Sequence, residues 1–143
     1  GNHSATRVPD LSLATIKGES VKSMISDSKW VEETFTPCVQ KRGAEIIAAR
    51  GLSSAASAGG SLIDAIHDWH NGTNGRWVSA AHASNGEYGV EKGLMFSYPV
   101  TYENKQWKVV PDLDVDLRVM AKIQTTQEEL IEERKAVESL LPK

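Results

Sequence analysis

Gly1-Asn2-His3-Ser4-Ala5-Thr6-Arg7-Val8-Pro9-Asp10 is the stretch from which the rest of this chain is read. A histidine between Gly1-Asn2 and the hydroxyls of Ser4 and Thr6 has a flexible approach and several possible hydrogen-bond partners. Pro9 pushes Val8 toward extended backbone and stops any helix there. An imidazole with an ordinary pKa of about 6.5 can both take and return a proton near neutral pH. The residues alone leave two readings open, an ordinary loop histidine and a proton-transfer group.

Around this segment the composition is that of a soluble globular domain, with 40% apolar and 24% charged residues in a 143-residue chain. That length is enough to bury a useful core. A formal net charge of −3 argues against a nucleic-acid or anionic-membrane surface, since both need clustered cations. No apolar run approaches the roughly 18 residues of a membrane span, and no apolar signal core opens the chain. Neither nucleic acid nor membrane is therefore expected as a partner. Cys38 stands alone, so no intrachain disulfide can form; a reducing compartment, the cytoplasm, is expected. Asn2-His3-Ser4 and Asn71-Gly72-Thr73 match the glycosylation triplet and, without a signal peptide, read as chance.

In chain order, Leu11, Leu13, Ile16, Val21, Met24 and Ile25 are scattered anchors of a connector, with a turn at Lys17-Gly18-Glu19. Ser26-Asp27-Ser28 supplies cap chemistry for a helix from Lys29 to Arg50, which Pro37 should bend or split. A second helix is expected from Ser53 to Trp69. Ser53 and Ser54 would cap it, Leu62, Ile63 and Ile66 form its apolar stripe, and its first half is small enough for a close approach. Strands follow at Arg76 to Ala83, Gly93 to Val100 and Gln106 to Val110, close enough in sequence to form antiparallel hairpins. Asp116 can cap a helix through Ile123. Thr126-Gln127-Glu128-Glu129 reads as a capping box opening a last one, with Leu130, Val137, Leu140 and Leu141 inward.

The opening decapeptide resembles the active-site segment of the cytosolic-type and chloroplast-type malate dehydrogenases, in which Gly-Asn-His-Ser-x-Thr-x-x-Pro-Asp carries the catalytic histidine. Lactate dehydrogenases and mitochondrial-type malate dehydrogenases keep Gly-x-His but differ on both sides of it. The resemblance runs nearly end to end. It continues through Thr36-Pro37-Cys38-Val39-Gln40-Lys41-Arg42-Gly43, Ser53-Ser54-Ala55-Ala56-Ser57, Asn85-Gly86-Glu87-Tyr88-Gly89-Val90 and Phe96-Ser97-Tyr98-Pro99-Val100. The connector before Trp30 is short, as in chloroplast-type sequences, while Gly59-Gly60 lies where bulkier residues are expected. The Cys-bearing C-terminal extension of chloroplast-type enzymes is not expected here, the sequence reading Pro142-Lys143 at its end. The resemblance implies an α+β fold of the lactate/malate dehydrogenase C-terminal type, long helices packed on an antiparallel sheet. No G-x-G-x-x-G follows a strand. Residues 1–143 are thus expected to be the catalytic, substrate-binding domain, cut just before its histidine, with the Rossmann half lying outside this chain.

By the same resemblance, His3 is the proton acceptor and donor in reversible oxidation of L-malate to oxaloacetate. NAD is the expected cofactor, with NADP not excluded because the ribose-reading residues lie in the other half. The partner Asp and the substrate arginines lie there too. Asn2, Ser53, Ser54, Ala55 and Ala56 are expected beside substrate or cofactor, although a capped, close-packed helix start explains the last four equally well. His67-Asp68-Trp69-His70 with His82 has the spacing of a weak metal motif, but no fourth ligand is placed, and no metal is expected. A hydrolase would pair Ser53 or Ser54 with His3, yet no G-x-S-x-G elbow exists. A homodimer through the Lys29–Arg50 helix is implied. The isolated chain is expected to be inactive, and a noncatalytic assembly module derived from such an enzyme is the competing class.

Overall fold

The structure, a computed structural model, describes residues 6–141. Asn2 and His3, and the roles expected of them, lie outside the described residues. The chain groups into two compact units, one of Ile46–Leu113 and one that includes residues 6–45 and 114–141.

In the first unit, β3 (Val78–Ala83), β4 (Met95–Glu103) and β5 (Gln106–Val109) form an antiparallel sheet in that order. Leu94, Phe96, Tyr98, Val100 and Tyr102 are buried while Met95 and Glu103 stay exposed, the period-2 pattern read from the sequence. β4 continues past the expected end at Val100. Pro99 is tolerated in this central strand because its carbonyl faces Val110, just where the β5 ladder ends, so its missing donor falls outside that ladder. Asn104 and Lys105, at φ 51° and 63°, form the two-residue turn into β5, the primed geometry that matches strand twist. The loop between β3 and β4 is pinned by the buried Ser84. Its N–H donates to Leu94 O at 2.8 Å and its hydroxyl to Val90 O at 2.9 Å.

Helix α4 (Ala55–Asn71) begins one residue after Ser54, and neither serine hydroxyl caps it. Instead the Ser54 carbonyl accepts from Ser57 N–H at 3.0 Å and from the Ser57 hydroxyl at 2.9 Å. The expected stripe of Leu62, Ile63 and Ile66 is exposed, as is Trp69. No atom of the described residues outside the helix's own backbone comes within 4 Å of a Cβ built at Gly59 or Gly60, so the expected close approach is not made within this chain. Polar contacts tie the end of α4 to the sheet. Gly72, at φ 81°, passes so near β4 that a Cβ would meet Tyr102 O at 3.2 Å. Thr73 and Tyr102 then exchange bonds: Thr73 N–H donates to Tyr102 O at 2.9 Å, and Tyr102 N–H donates to the Thr73 hydroxyl at 3.0 Å. Arg76 reaches back to the buried Asp68 at 2.7 Å.

In the second unit the connector is more regular than its sequence suggests. Lys17 and Gly18, at φ 52° and 86°, turn β1 (Thr15–Ile16) into β2 (Glu19–Ser20), and α1 (Val21–Met24) follows. Asp27 caps α2 (Ser28–Trp30) as expected, its carboxylate accepting from Trp30 N–H at 3.0 Å. Pro37 neither bends nor splits the helix cleanly. Because it offers no N–H, the preceding turn Val31–Phe35 widens into π geometry, with Thr36 N–H bonded to Val31 O, before α3 (Thr36–Arg50) runs on. The wide turn brings Trp30 and Phe35 into a stack at 5.6 Å.

Asp116 caps α5 (Leu117–Val137) through Arg118 N–H at 2.8 Å. The expected second start at Thr126 is absent: α5 is one helix, for no Gly or Pro interrupts it and Thr126 is buried with its hydroxyl turned to another segment. Val137, Leu140 and Leu141, expected to face inward, are exposed.

The Thr73–Tyr102 exchange makes a stability prediction. Thr73 is fully buried, so Thr73→Val leaves the Tyr102 N–H without its acceptor and should cost about 1–3 kcal/mol. Thr73→Ser should cost far less. Urea unfolding should show a lower midpoint for the valine variant at unchanged slope. An unchanged midpoint would mean that this exchange does not hold α4 to the sheet.

Candidate active site

The described part of the opening decapeptide begins at Thr6, and it is held from two helices of its own unit. The Thr6 hydroxyl donates to Glu129 Oε2 at 3.0 Å and accepts from the Thr126 hydroxyl at 3.1 Å, both on α5. One residue on, Arg7 Nη2 donates to Gln40 O at 2.7 Å and Gln40 Nε2 donates back to Arg7 O at 2.8 Å, which ties the segment to α3. Asp10 closes a local turn by accepting from the N–H and hydroxyl of Ser12. Beyond these ties the segment borders a cleft of about 770 Å³, lined among others by Pro9, Val21, Ile25, Pro37 and Val119.

The pairings of Gln40, Thr126 and Glu129 with the opening segment have no local signal in the sequence. Glu129 is 123 positions from Thr6, and Thr126 reads locally as a cap. Only the polar character of Thr126 at a position that turns out to be buried could have pointed to a distant partner.

Ser53, Ser54, Ala55 and Ala56 lie at the start of α4, in the other unit. Ser53, Ala55 and Ala56 are exposed, while Ser54 is half-buried with its hydroxyl 3.2 Å from that of Ser57. Arg50 Nη1 donates to Ser53 O at 3.5 Å. These four residues present an open surface of small side chains. That surface suits a wall against a flat ring. It does not suit the pyrophosphate of a dinucleotide, which needs a glycine-rich turn between a strand and a helix in a parallel sheet. Among the described residues both sheets are antiparallel.

Of the remaining charged groups, Asp68 in the weak metal motif is engaged by Arg76 at 2.7 Å and has His67 Nδ1 at 3.7 Å. Among the described residues no group of three or more His, Cys, Asp or Glu side chains is placed to hold a metal ion. Arg118 bridges Asp116 at 3.4 Å and Glu32 at 2.7 Å. The Arg118 N–H, and then its side chain, hold the Asp116 carboxyl below its ordinary range, while Arg118 itself is raised by that same bond. Arg118 and Glu32 are largely solvated, so their pair adds little stability. Burial raises the phenols of Tyr88 and Tyr98.

The comparison with known proteins accords with this geometry. The sequence profile described as lactate/malate dehydrogenase, alpha/beta C-terminal domain, matches residues 1–141. A malate dehydrogenase from Naegleria fowleri is similar in structure at a TM-score of 0.88 and 46% identity, with 99% of this chain and 43% of that one covered. A Trichomonas vaginalis lactate dehydrogenase solved with NADH and oxamate is similar at 0.87 and 28%, with 97% and 44% covered. A malate dehydrogenase from Plasmodium falciparum, at 0.84 but 16% identity, shares the fold, with 99% and 45% covered. The chain thus spans less than half the length of each. Its helices, its small antiparallel sheet and a match over nearly every residue place it in the lactate/malate dehydrogenase family, as the C-terminal α/β domain.

Proposed function

We propose that this chain is the substrate-binding, proton-transferring half of an NAD-linked malate dehydrogenase, completed by a separate dinucleotide-binding half. The observation that carries the reading is Gly1-Asn2-His3-Ser4-Ala5-Thr6-Arg7-Val8-Pro9-Asp10, which resembles the malate dehydrogenase active-site segment. When bound, the nicotinamide supplies the hydride acceptor for the C2 hydrogen of malate. In oxidation His3 takes the hydroxyl proton as the C2–H bond breaks and the carbonyl forms. In reduction the His3 imidazolium polarises the oxaloacetate carbonyl and returns that proton to its oxygen. By the family resemblance, Ser53, Ser54, Ala55 and Ala56 line the active site opposite the nicotinamide, and Asn2 flanks the histidine. NAD is preferred over NADP only by the family reading.

The reading is tested by replacing His3 with Asn in the enzyme completed by its dinucleotide-binding half. Asparagine keeps some hydrogen bonding but cannot accept and return a proton. Turnover should fall in both directions by about 10²–10⁴-fold, with NADH affinity close to wild type. Wild-type kcat across neutral pH would reduce His3 to a structural residue.

The working assembly is a homodimer. Trp30 and Val39 in one unit, and Leu62, Ile63 and Ile66 on α4 in the other, are exposed, and exposed apolar side chains are candidates for association. Sedimentation velocity on the 143-residue chain should show mass increasing with concentration in the micromolar range. A sharp monomer boundary at every dilution would contradict this.

A further inference from the structure

We infer that Asn74, in the turn between α4 and β3, is a site of self-modification. Its side-chain amide is lost to attack by the Gly75 main-chain nitrogen, leaving Asp and isoaspartate at that position. The reaction needs water and no cofactor. The Gly75 N–H gives its proton to hydroxide, and the nitrogen attacks Asn74 Cγ. The new C–N bond closes a five-membered succinimide as the Cγ–Nδ2 bond breaks and ammonia leaves with a proton from water. Water then opens the ring at one of its two carbonyls. One opening gives Asp, and the other runs the main chain through Cβ and Cγ as isoaspartate. Glycine after asparagine favours the closure because no Cβ obstructs it.

The sequence holds three such pairs, Asn71-Gly72, Asn74-Gly75 and Asn85-Gly86, and the fold restrains them unequally. At the first, Gly72 N–H donates to Asp68 O at 2.9 Å, Asn71 Nδ2 donates to His67 O at 3.0 Å, and Gly72 lies against Tyr102 O. At the third, Gly86 N–H donates to the hydroxyl of the buried Ser84 at 3.0 Å, and Asn85 N–H donates to Glu87 Oε2 at 2.7 Å. In both pairs the attacking nitrogen is already engaged. Asn74 and Gly75 are exposed, and neither has a hydrogen-bond partner among the described residues. Their φ angles of 50° and 76°, with the Arg76 N–H donating to Thr73 O at 3.0 Å, make a primed two-residue turn. Only that flanking bond restrains the pair, and openings that break few bonds are the frequent ones.

The products act on the junction of α4 with the sheet. A carboxylate at position 74 stands two residues from Arg76, whose guanidinium holds the buried Asp68 at 2.7 Å, and it competes for that cation. Isoaspartate also adds a main-chain carbon next to Thr73, which is fastened to Tyr102 on its other side. Both changes loosen the end of α4.

The test ages the 143-residue chain at mildly alkaline pH, folded and in urea, and follows the three pairs by peptide mass spectrometry with isoaspartate detection. In urea the three should convert at similar rates, because the reacting residues are the same. In the folded chain Asn74 should convert about tenfold or more faster than Asn71 and Asn85, whose nitrogens must first break a bond. A folded chain in which Asn74 converts no faster than the other two would overturn the inference. The urea midpoint of the wild-type chain should fall as conversion proceeds. Asn74→Gln, which closes a larger ring more slowly, should keep its starting midpoint over the same period. Conversion at Asn74 with no change in midpoint, or an equal fall in Asn74→Gln, would overturn the claim that the products loosen the junction.

Discussion

Burial on one face of β4 is the constraint from which the rest of the sheet unit follows. Phe96, Tyr98, Val100 and Tyr102 at alternate positions of this strand, with Leu94 just before it, supply most of the buried apolar side chains among the described residues. Everything that touches this face is placed by it. The Ser84 loop closes over Val90 at one end, and the Thr73–Tyr102 exchange fastens the end of α4 at the other. The helices contribute little apolar burial of their own. Thr126 and Asp68, both polar, are the buried residues of α5 and α4, while the apolar side chains of α4 lie open. Attachment of these helices within their units depends on directed hydrogen bonds and ion pairs, which hold position precisely only while every partner is present.

The elements legible in the sequence were those that depend on local chemistry. The alternation along residues 94–100 and the cap residues Asp27 and Asp116 need no distant partner to be understood. What escaped depends on register or on contacts far along the chain. That β4 runs past the expected end at Val100 to Glu103 is decided by its pairing with β5. The capping box at Thr126 has the right letters, but its threonine is used by Thr6 and the helix passes through. Similarly, Leu62, Ile63 and Ile66 have helical spacing and read as a core stripe. Spacing shows that side chains share a face; it does not show that this chain covers that face.

The candidate site was legible in the same uneven way. Its opening motif could be matched to a family at once, and Ser53–Ala56 were recognisable as small residues at a helix start, now found on an open surface. The ties that hold the opening segment, Gln40, Thr126 and Glu129, were invisible because each is a pairing between distant parts of the chain. The structure shows a segment tethered to two helices of its own unit and, in the other unit, a surface of small residues at the start of α4.

The central claim, that this chain is the proton-transferring half of a malate dehydrogenase, is tested most directly by reconstitution. The chain would be joined behind the dinucleotide-binding half of the Naegleria fowleri relative, whose C-terminal part it matches at 46% identity. Oxidation of NADH would then be followed with oxaloacetate and with pyruvate. The account predicts no turnover by either half alone, turnover by the joined protein, and a clear preference for oxaloacetate. A joined protein that binds NADH normally yet reduces neither keto acid, or a 143-residue chain that turns over by itself, would contradict it.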